Sequence, residues 1–181
     1  MTSYPEVPSW DELARLIGEV ESPRERAFFS MLYLTAGRIT EILWSSRFGT
    51  PGVRPCDIRF MMHSGKEIMV VKIVNRKNRI HHEKELPVVV ELEAPLVKFI
   101  RDYADSMPDK TASMFHFNAV TGWGFARKRL GFTPHFLRHC RLTHLSAPPY
   151  RYDHMRLMKF AGWTNTVQAD RYIHTRWDDF L

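Results

Sequence analysis

The sequence predicts a mainly α-helical fold of the α+β class, with one small three-stranded antiparallel sheet. Capped segments with apolar residues at helical spacing lie towards both ends of the chain, and β-type runs separated by a polar, basic stretch lie in the middle. At 181 residues the chain is long enough to bury one sizeable core, so we expect a single domain over residues 1–181.

Local signals place the elements along the chain. Ser9 with Glu12 forms a capping box, Pro23 suits a first helical position, Thr133 is a helix cap, and Gly162 is placed to end a helix. Strands are predicted over 58–62, 68–74 and 85–90, with 75–84 as a hairpin tip. Helices are predicted after Pro23 and over residues 11–20, 39–44, 95–105, 121–130, 134–145, 155–160 and 165–174.

Charge and composition exclude several classes of protein. The formal net charge is +6, a modest excess that is consistent with a polyanionic partner. The two cysteines do not make a disulfide framework. No apolar run approaches the ~18 residues of a membrane-spanning helix, and the first ten residues lack a secretion signal. We therefore expect an intracellular protein, in the cytoplasm or nucleoid of a cell or in the host cell of a mobile element.

Basic residues cluster in three stretches, at 76–79, 127–129 and 138–141. Such clusters can neutralise phosphates and give salt-dependent affinity for DNA, although a solvated face explains any one of them equally well. The candidate DNA-binding residues are Arg76, Arg79, Arg127, Lys128, Arg129 and Arg141.

Four short motifs carry candidate chemistry. In residues 35–43, Arg38 lies one helical turn before Glu41, a spacing that an ordinary surface ion pair also explains. In residues 76–79, Lys77 at a hairpin tip can reach into a groove and donate a proton, although most lysines are simply solvated. In residues 135–139, His135 and Arg138 share a helix face, which suits a phosphate.

The fourth motif consists of residues 162–165 followed by residues 171–174. Tyr172 lies nine residues after Trp163, on what is predicted to be the next helix. A lone tyrosine on an amphipathic helix is ordinarily a core residue, so this motif gains meaning only beside the other three.

In this order the motifs resemble the signature of the tyrosine recombinase (phage integrase) family: Arg in a TGxRxxE segment, Lys on a β-hairpin, HxLRH, then GH or GW before Tyr. The interval from Arg138 to Tyr172 is 34 residues, close to that of the family. The resemblance covers nearly the whole chain. It implies the tyrosine recombinase catalytic-domain fold and an integrase that cuts and rejoins DNA in site-specific recombination.

The resemblance also implies residue roles. Tyr172 attacks the scissile phosphate and leaves a 3′-phosphotyrosine link and a free 5′-hydroxyl, while Glu41 braces the site without touching the substrate. The arginines clamp the phosphate oxygens, and the lysine protonates the leaving 5′-oxygen. The histidine acts as a general acid or base near Tyr172. The tryptophan packs in the site or donates its indole N–H to the phosphate. The implied catalytic residues are Arg38, Lys77, His135, Arg138, Trp163 and Tyr172.

The implied partner is a double-stranded DNA attachment site, bound by a tetramer of the full-length protein, with the isolated domain a monomer. Neither a metal nor ATP is implied. The family's usual N-terminal DNA-binding domain is expected to be absent, and only nine residues follow Tyr172. The first motif has Ala-Gly-Arg where the family has Gly-x-Arg, and Trp163 stands where a second histidine is usual. The long hairpin leaves Lys84 and Lys72 as alternatives for the catalytic lysine.

Three other functions remain open from the sequence. A relaxing topoisomerase would use the same chemistry, and a non-catalytic DNA-binding module would keep the fold without activity. A metal enzyme is the least favoured, because the pattern offers neither a Glu between the histidines nor a pair of zinc-binding cysteines. Its candidate ligands would be His135, His139, Cys140 and His144.

Overall fold

The computed structural model describes residues 6–45, 49–77 and 80–173. Within these residues the structure has seven α-helices and an antiparallel sheet of three strands in the order β1-β2-β3. The helices are α1 Trp10–Gly18, α2 Pro23–Leu34, α3 Ile39–Ile42, α4 Ala94–Ser106, α5 Ala119–Leu130, α6 Pro134–Ser146 and α7 His154–Ala161. The strands are β1 Ile58–His63, β2 Lys66–Lys77 and β3 Ile80–Val89. Short 3₁₀-helices span Pro55–Asp57 and Val167–Arg171.

The predicted α+β class and the helix boundary signals are confirmed. The Ser9 hydroxyl accepts the backbone N–H of Glu12 at 3.2 Å, and the Thr133 hydroxyl accepts that of Phe136 at 3.1 Å. Each bond satisfies an N–H that has no partner within the helix. Gly162 has a φ of 71° and ends α7 in the left-handed conformation that glycine adopts without strain.

Helix α2 lies at the centre of the core. Every residue from position 27 to position 34 is buried, and the helix packs against α4 and α6. A helix that is buried on all sides needs apolar side chains around its whole circumference. One face of the sheet packs into this core. Alternate residues of its strands are buried on that face, and two of them, Val71 of β2 and Leu86 of β3, lie directly opposite each other. This core holds the C-terminal end of α2 in a defined position.

The hairpin is longer than the sequence predicts. Strands β2 and β3 remain paired from Ile68 and Val89 out to Lys77 and Ile80, so the prediction that 75–84 form a hairpin tip is wrong. Polar side chains do not prevent backbone pairing. The two strands therefore stay hydrogen-bonded beyond Ile73, a buried residue of β2, along the polar stretch that follows it. As a result Lys84 lies within β3 rather than in a turn.

The segment that carries Tyr172 also differs from the prediction. A 3₁₀-helix, Val167–Arg171, replaces the α-helix predicted over 165–174, with tight backbone bonds such as that from Tyr172 N to Ala169 O at 2.9 Å. Thr164, Asn165 and Thr166 precede it, and such side chains compete with α-helical hydrogen bonding. Residue 174 lies outside the described residues.

The prediction that Arg141 contacts DNA is wrong. Arg141 is only 1% exposed, and its guanidinium donates to the Glu93 carboxylate, which is fully buried. The Tyr150 hydroxyl and the Trp10 indole N–H donate to the same carboxylate. The guanidinium carbon also lies 5.2 Å from the centre of the Tyr33 ring. Arg141 therefore joins α6 to the loop before α4, and its charge is compensated inside the protein.

In the described part of the chain, no helix combines the length and the apolar character needed to cross a membrane.

Replacing Arg141 by alanine is expected to destabilise the protein by about 3–5 kcal/mol, because Glu93 would be left as a buried charge without its cation. Urea unfolding of Arg141→Ala, with the exposed Arg127→Ala as a matched control, measures the loss. The control is expected to change the free energy of unfolding by less than about 0.5 kcal/mol. Equal unfolding midpoints for the two variants would contradict a buried ion pair at Arg141.

Candidate active site

The turn between α2 and α3 delivers Arg38 to the site. The Thr35 hydroxyl donates to the Met31 carbonyl at 2.6 Å and accepts the Gly37 N–H at 3.1 Å, which ends α2 within two residues. A Cβ on Gly37 would lie 2.7 Å from the Ile42 side chain and 2.8 Å from the Thr35 hydroxyl, so any larger residue would displace these side chains. Arg38 then caps the short helix α3 with an extended backbone.

Ala36 occupies the position where the recombinase motif has its first glycine. Its φ is +45°, in the left-handed region, which costs a residue with a Cβ about 1 kcal/mol relative to glycine. The turn before Arg38 therefore adopts a glycine-like conformation although alanine stands there. Its carbonyl accepts a hydrogen bond from the Arg138 guanidinium.

Glu41 forms the ion pair with Arg38 that their three-residue spacing indicates. One carboxylate oxygen accepts the Arg38 backbone N–H at 2.7 Å, and the other accepts the guanidinium at 3.0 Å. The Glu41 side chain is 3% exposed while that of Arg38 is 40% exposed. The carboxylate thus holds the arginine from the protein side and leaves part of the guanidinium open to solvent.

The C-terminal end of α7 holds two further cations. The Arg138 guanidinium donates to the Ala161 carbonyl at 2.9 Å, and the Lys84 ammonium donates to the adjacent Phe160 carbonyl at 3.2 Å. Carbonyls in the last turn of a helix lack intrahelical partners and carry the negative end of the helix dipole. Consecutive carbonyls of one helix end therefore bring Arg138 and Lys84 side by side.

Arg38, Glu41, Lys84 and Arg138 form a cluster of charged side chains. Burial and like charges dominate its electrostatics. Burial lowers the pKa of Lys84 to about 8, and the charges of Arg138 and Arg38 lower it too, against the opposing effect of Glu41. Burial likewise lowers the pKa of Arg138 to about 10, again with Arg38 acting in the same direction, while Glu41 and Tyr172 oppose. Among the described residues, Glu41 is the carboxylate that acts on the three cations, so positive charge exceeds negative charge there and an anion is the favoured ligand.

The described structure brings Lys84 into the site and leaves Lys72 outside it. Lys72 forms an ion pair with Glu83 at 2.8 Å on the sheet. The side chains of Arg76 and Lys77, and the whole of Arg79, lie outside the described residues, so the roles assigned to them remain predictions.

Two histidines, one helical turn apart on α6, lie on different parts of the site. His135 is exposed, and burial together with the charges of Arg138 and Arg38 lowers its pKa. His139 is half-buried, and its Nδ1 lies 3.3 Å from the Tyr172 hydroxyl. The family resemblance implies His135 near Tyr172, but the histidine in contact with this hydroxyl is His139. The i,i+4 spacing from His135 could have indicated it.

Trp163 packs Tyr172 into the cluster. The indole and phenol rings stack with centroids 5.9 Å apart and planes at 20°, and the Arg138 guanidinium carbon lies 5.9 Å from the indole centre. The imidazole of His139 lies against the phenol at 5.3 Å. Tyr172 is therefore held between Trp163 and His139, close enough to Arg138 for the two to interact electrostatically.

The basic end of α5 lies at the surface. The last turn of α5 carries three exposed cations, Arg127, Lys128 and Arg129. The negative end of the helix dipole stabilises positive charge at this position. Arg127 stacks over the Trp123 ring at 5.3 Å, and Arg129 pairs with Glu25 at 3.0 Å. These residues are accessible, and a role in DNA binding remains a prediction.

The part of the chain that the structure describes contains no group of three or more His, Cys, Asp or Glu side chains placed to hold a metal ion. His144, one of the ligands considered from the sequence, instead contacts the Tyr33 hydroxyl at 2.7 Å and the Pro8 carbonyl at 2.9 Å. Cys140 is buried.

Comparison with solved structures identifies the fold. No family model matches the sequence, and no curated protein matches it. The XerH site-specific recombinase bound to its difH substrate, in a pre-cleavage complex, aligns over 97% of this chain with a TM-score of 0.63 and 17% identity. The Tn1549 transposon integrase in complex with a circular intermediate DNA aligns over 99% with a TM-score of 0.56 and 16% identity.

The fold is that of a tyrosine recombinase catalytic domain. The predicted fold class is thereby confirmed. The chain spans 52% of the XerH chain and 65% of the integrase chain, so it corresponds to part of those proteins. In this fold the cluster around Arg138 lies at the junction of α3, β3, α6 and α7.

Lys84 is expected to titrate near pH 8 in the free protein, because burial and two arginines disfavour its charged form. NMR of the protein with ¹³C-dimethylated lysines measures this, and the Lys84 signal is the one lost in Lys84→Arg. Glu41→Gln is expected to lower the pKa of Lys84 further, because the carboxylate raises it. A Lys84 signal that titrates near the ordinary 10.5 would contradict the described cluster.

Proposed function

We propose that this chain is the catalytic domain of a site-specific DNA recombinase that cuts and rejoins strands through a 3′-phosphotyrosine intermediate. The observation that supports this most strongly is the convergence of Arg38, Arg138 and Lys84 beside Tyr172. The charge of Arg38 lowers the pKa of both Lys84 and Arg138, so the three cations together favour a phosphodiester, and a tyrosine in the same cluster supplies the nucleophile.

The two arginines bind the non-bridging oxygens of the scissile phosphate. Arg38 presents its exposed edge to the substrate while Glu41 fixes the other edge. Arg138 is fixed by two backbone carbonyls, so its position is set before DNA binds. Preorganised donors of this kind stabilise the negative charge that develops on the five-coordinate phosphorus without reorganising during the reaction.

The covalent step exchanges one phosphodiester for another. The Tyr172 oxygen forms a bond to phosphorus as the bond to the 5′-oxygen breaks, in line with the attack. Lys84 donates a proton to the leaving 5′-oxygen, a role for which a lysine with a pKa of about 8 is suited near neutral pH. A 5′-hydroxyl from another strand reverses the step and yields recombination. The ester energy is retained in the phosphotyrosine, so the reaction requires neither ATP nor a metal.

His135 and Trp163 complete the proposed site. His135 is exposed next to the two arginines and donates a hydrogen bond to a phosphate oxygen. Trp163 packs between Arg138 and Tyr172 and keeps the nucleophile close to the cations.

The proposed partner is a double-stranded DNA attachment site. The matched XerH recombinase and Tn1549 integrase are each in complex with DNA, and the basic turn of α5 offers exposed cations for the phosphate backbone. We propose that the full-length protein acts as a tetramer on DNA and that the isolated domain is a monomer.

Tyr172→Phe is expected to abolish covalent attachment to DNA, because the variant keeps the ring and loses the attacking oxygen. The assay incubates the protein with nicked suicide duplexes carrying a randomised core, and a denaturing gel resolves the covalent product. Tyr152→Phe is the matched control, since Tyr152 packs against Phe160 rather than in the cluster, and is expected to behave as the wild type. If wild-type protein forms no adduct, or if Tyr172→Phe forms as much as the wild type, the proposal is wrong.

Lys84→Met is expected to slow cleavage by about 100-fold or more on ordinary DNA, because the 5′-oxygen then leaves without a proton. A duplex with sulfur in place of that bridging oxygen should restore the rate, since a thiolate leaves unprotonated. Lys72→Met, on the sheet, should keep the wild-type rate on both substrates. A different result would contradict this role of Lys84. If Lys84→Met cleaves at the wild-type rate, while Lys77→Met is slow and is rescued by sulfur, the proton donor is Lys77, the residue that the family motif indicates.

A further inference from the structure

The contact between Tyr172 and His139 has no role in the reaction as described so far. The imidazole Nδ1 lies 3.3 Å from the phenol oxygen, and the two rings lie 5.3 Å apart. Both residues are packed in place, Tyr172 by the Trp163 ring and His139 by the Phe136 ring at 6.0 Å. The geometry is that of an activated nucleophile, in which a base lies within hydrogen-bonding reach of a hydroxyl.

The surroundings of His139 favour a neutral imidazole. Within the described residues, His135, one turn earlier on α6, and Tyr172, from the segment after α7, are titratable groups beside it. Burial lowers the pKa of His139, and a positive charge on His135 lowers it in the same direction. A neutral imidazole with its proton on Nε2 presents a lone pair at Nδ1, which is the atom that faces the phenol.

We propose that His139 is the general base for Tyr172. As the phenol oxygen bonds to phosphorus, its proton passes to Nδ1 of His139, and the 5′-oxygen departs with a proton from Lys84. In the rejoining step the incoming 5′-hydroxyl returns its proton to Lys84, and the phenoxide takes the proton back from His139. Each step thus moves two protons between fixed sites, and no further reactant is needed. This inference rests on the proposed function.

His135 and His139 have different roles in this mechanism. His135 is exposed and adjacent to the arginines, so it faces the phosphate, whereas the half-buried His139 faces the nucleophile. A base must be neutral to accept a proton, so a pKa below the ordinary histidine value keeps His139 competent at neutral pH. Cleavage is therefore lost as the pH falls through the pKa of His139.

His139→Asn provides the kinetic test, because its side-chain oxygen can accept a hydrogen bond near the Nδ1 position but cannot take up a proton at this pH. With suicide duplexes on which wild-type protein forms adduct, we expect about a 100-fold slower cleavage, unchanged DNA binding, and loss of the acid limb of the pH profile. Sulfur at the leaving position should not rescue this variant, whereas it rescues Lys84→Met. His135→Asn should slow cleavage but retain the acid limb.

The matched control is His144→Asn. His144 makes the same type of contact with a tyrosine, from its Nδ1 to the Tyr33 hydroxyl at 2.7 Å, on the same helix but in a separate cluster. Its substitution is expected to change stability and to leave the pH profile of cleavage as in the wild type. A wild-type rate and pH profile in His139→Asn, or its rescue by sulfur, would overturn the role of His139 while leaving the recombinase proposal intact. Failure of the wild type to form adduct would overturn both.

A measurement on the unmodified protein does not depend on how the variants fold. ¹⁵N NMR of the histidine rings reports which nitrogen carries the proton, and His139→Asn or a folded His139→Gln identifies the signal. We expect the Nε2–H tautomer for His139 at neutral pH. A proton on Nδ1 would make the imidazole a donor to the phenol and would overturn the proposal.

Discussion

The C-terminal end of α7 is the feature on which the rest of the site depends. Two consecutive carbonyls, those of Phe160 and Ala161, accept hydrogen bonds from Lys84 and Arg138. Without these acceptors and the negative end of the helix dipole, two partly buried cations would repel each other with little compensation. Gly162 ends the helix at this point and allows the chain to turn towards Trp163. The end of α7 thus positions Lys84 of β3, Arg138 of α6 and the segment that leads to Tyr172.

The same feature explains why the site is suited to a phosphodiester. Glu41 is the carboxylate that the described cluster contains, and it already binds Arg38. The remaining positive charge is stabilised by backbone dipoles, which cannot neutralise it, so an incoming anion completes the charge balance. The buried pair of Arg141, on α6, and Glu93, before α4, shows the contrast, because there a full negative charge compensates the arginine and a structural role results.

Local signals in the sequence were sufficient for the seven α-helices, for caps such as Ser9 and Thr133 and for the Arg38–Glu41 pair, because these depend on residues three or four positions apart, but they did not reveal the 3₁₀-helix before Tyr172. Interactions between distant segments were not predictable. Arg141 lies in a basic cluster, but its partner is 48 residues away in sequence. The polar composition of residues 75–84 predicts a hairpin tip, since composition does not reveal that backbone pairing continues through this stretch. The contact of His139 with Tyr172 required the position of the segment after α7.

The central claim is that Tyr172 and the two active-site arginines act on one phosphate. A crystal structure of the protein with orthovanadate and two DNA half-sites of a sequence recovered as covalent adduct tests this directly, because vanadate adopts the five-coordinate geometry of phosphoryl transfer. We expect vanadium bonded to the Tyr172 oxygen, with Arg38 and Arg138 donating to its equatorial oxygens. Vanadate bound elsewhere on the DNA-bearing surface, with Tyr172 remote from both guanidinium groups, would contradict it.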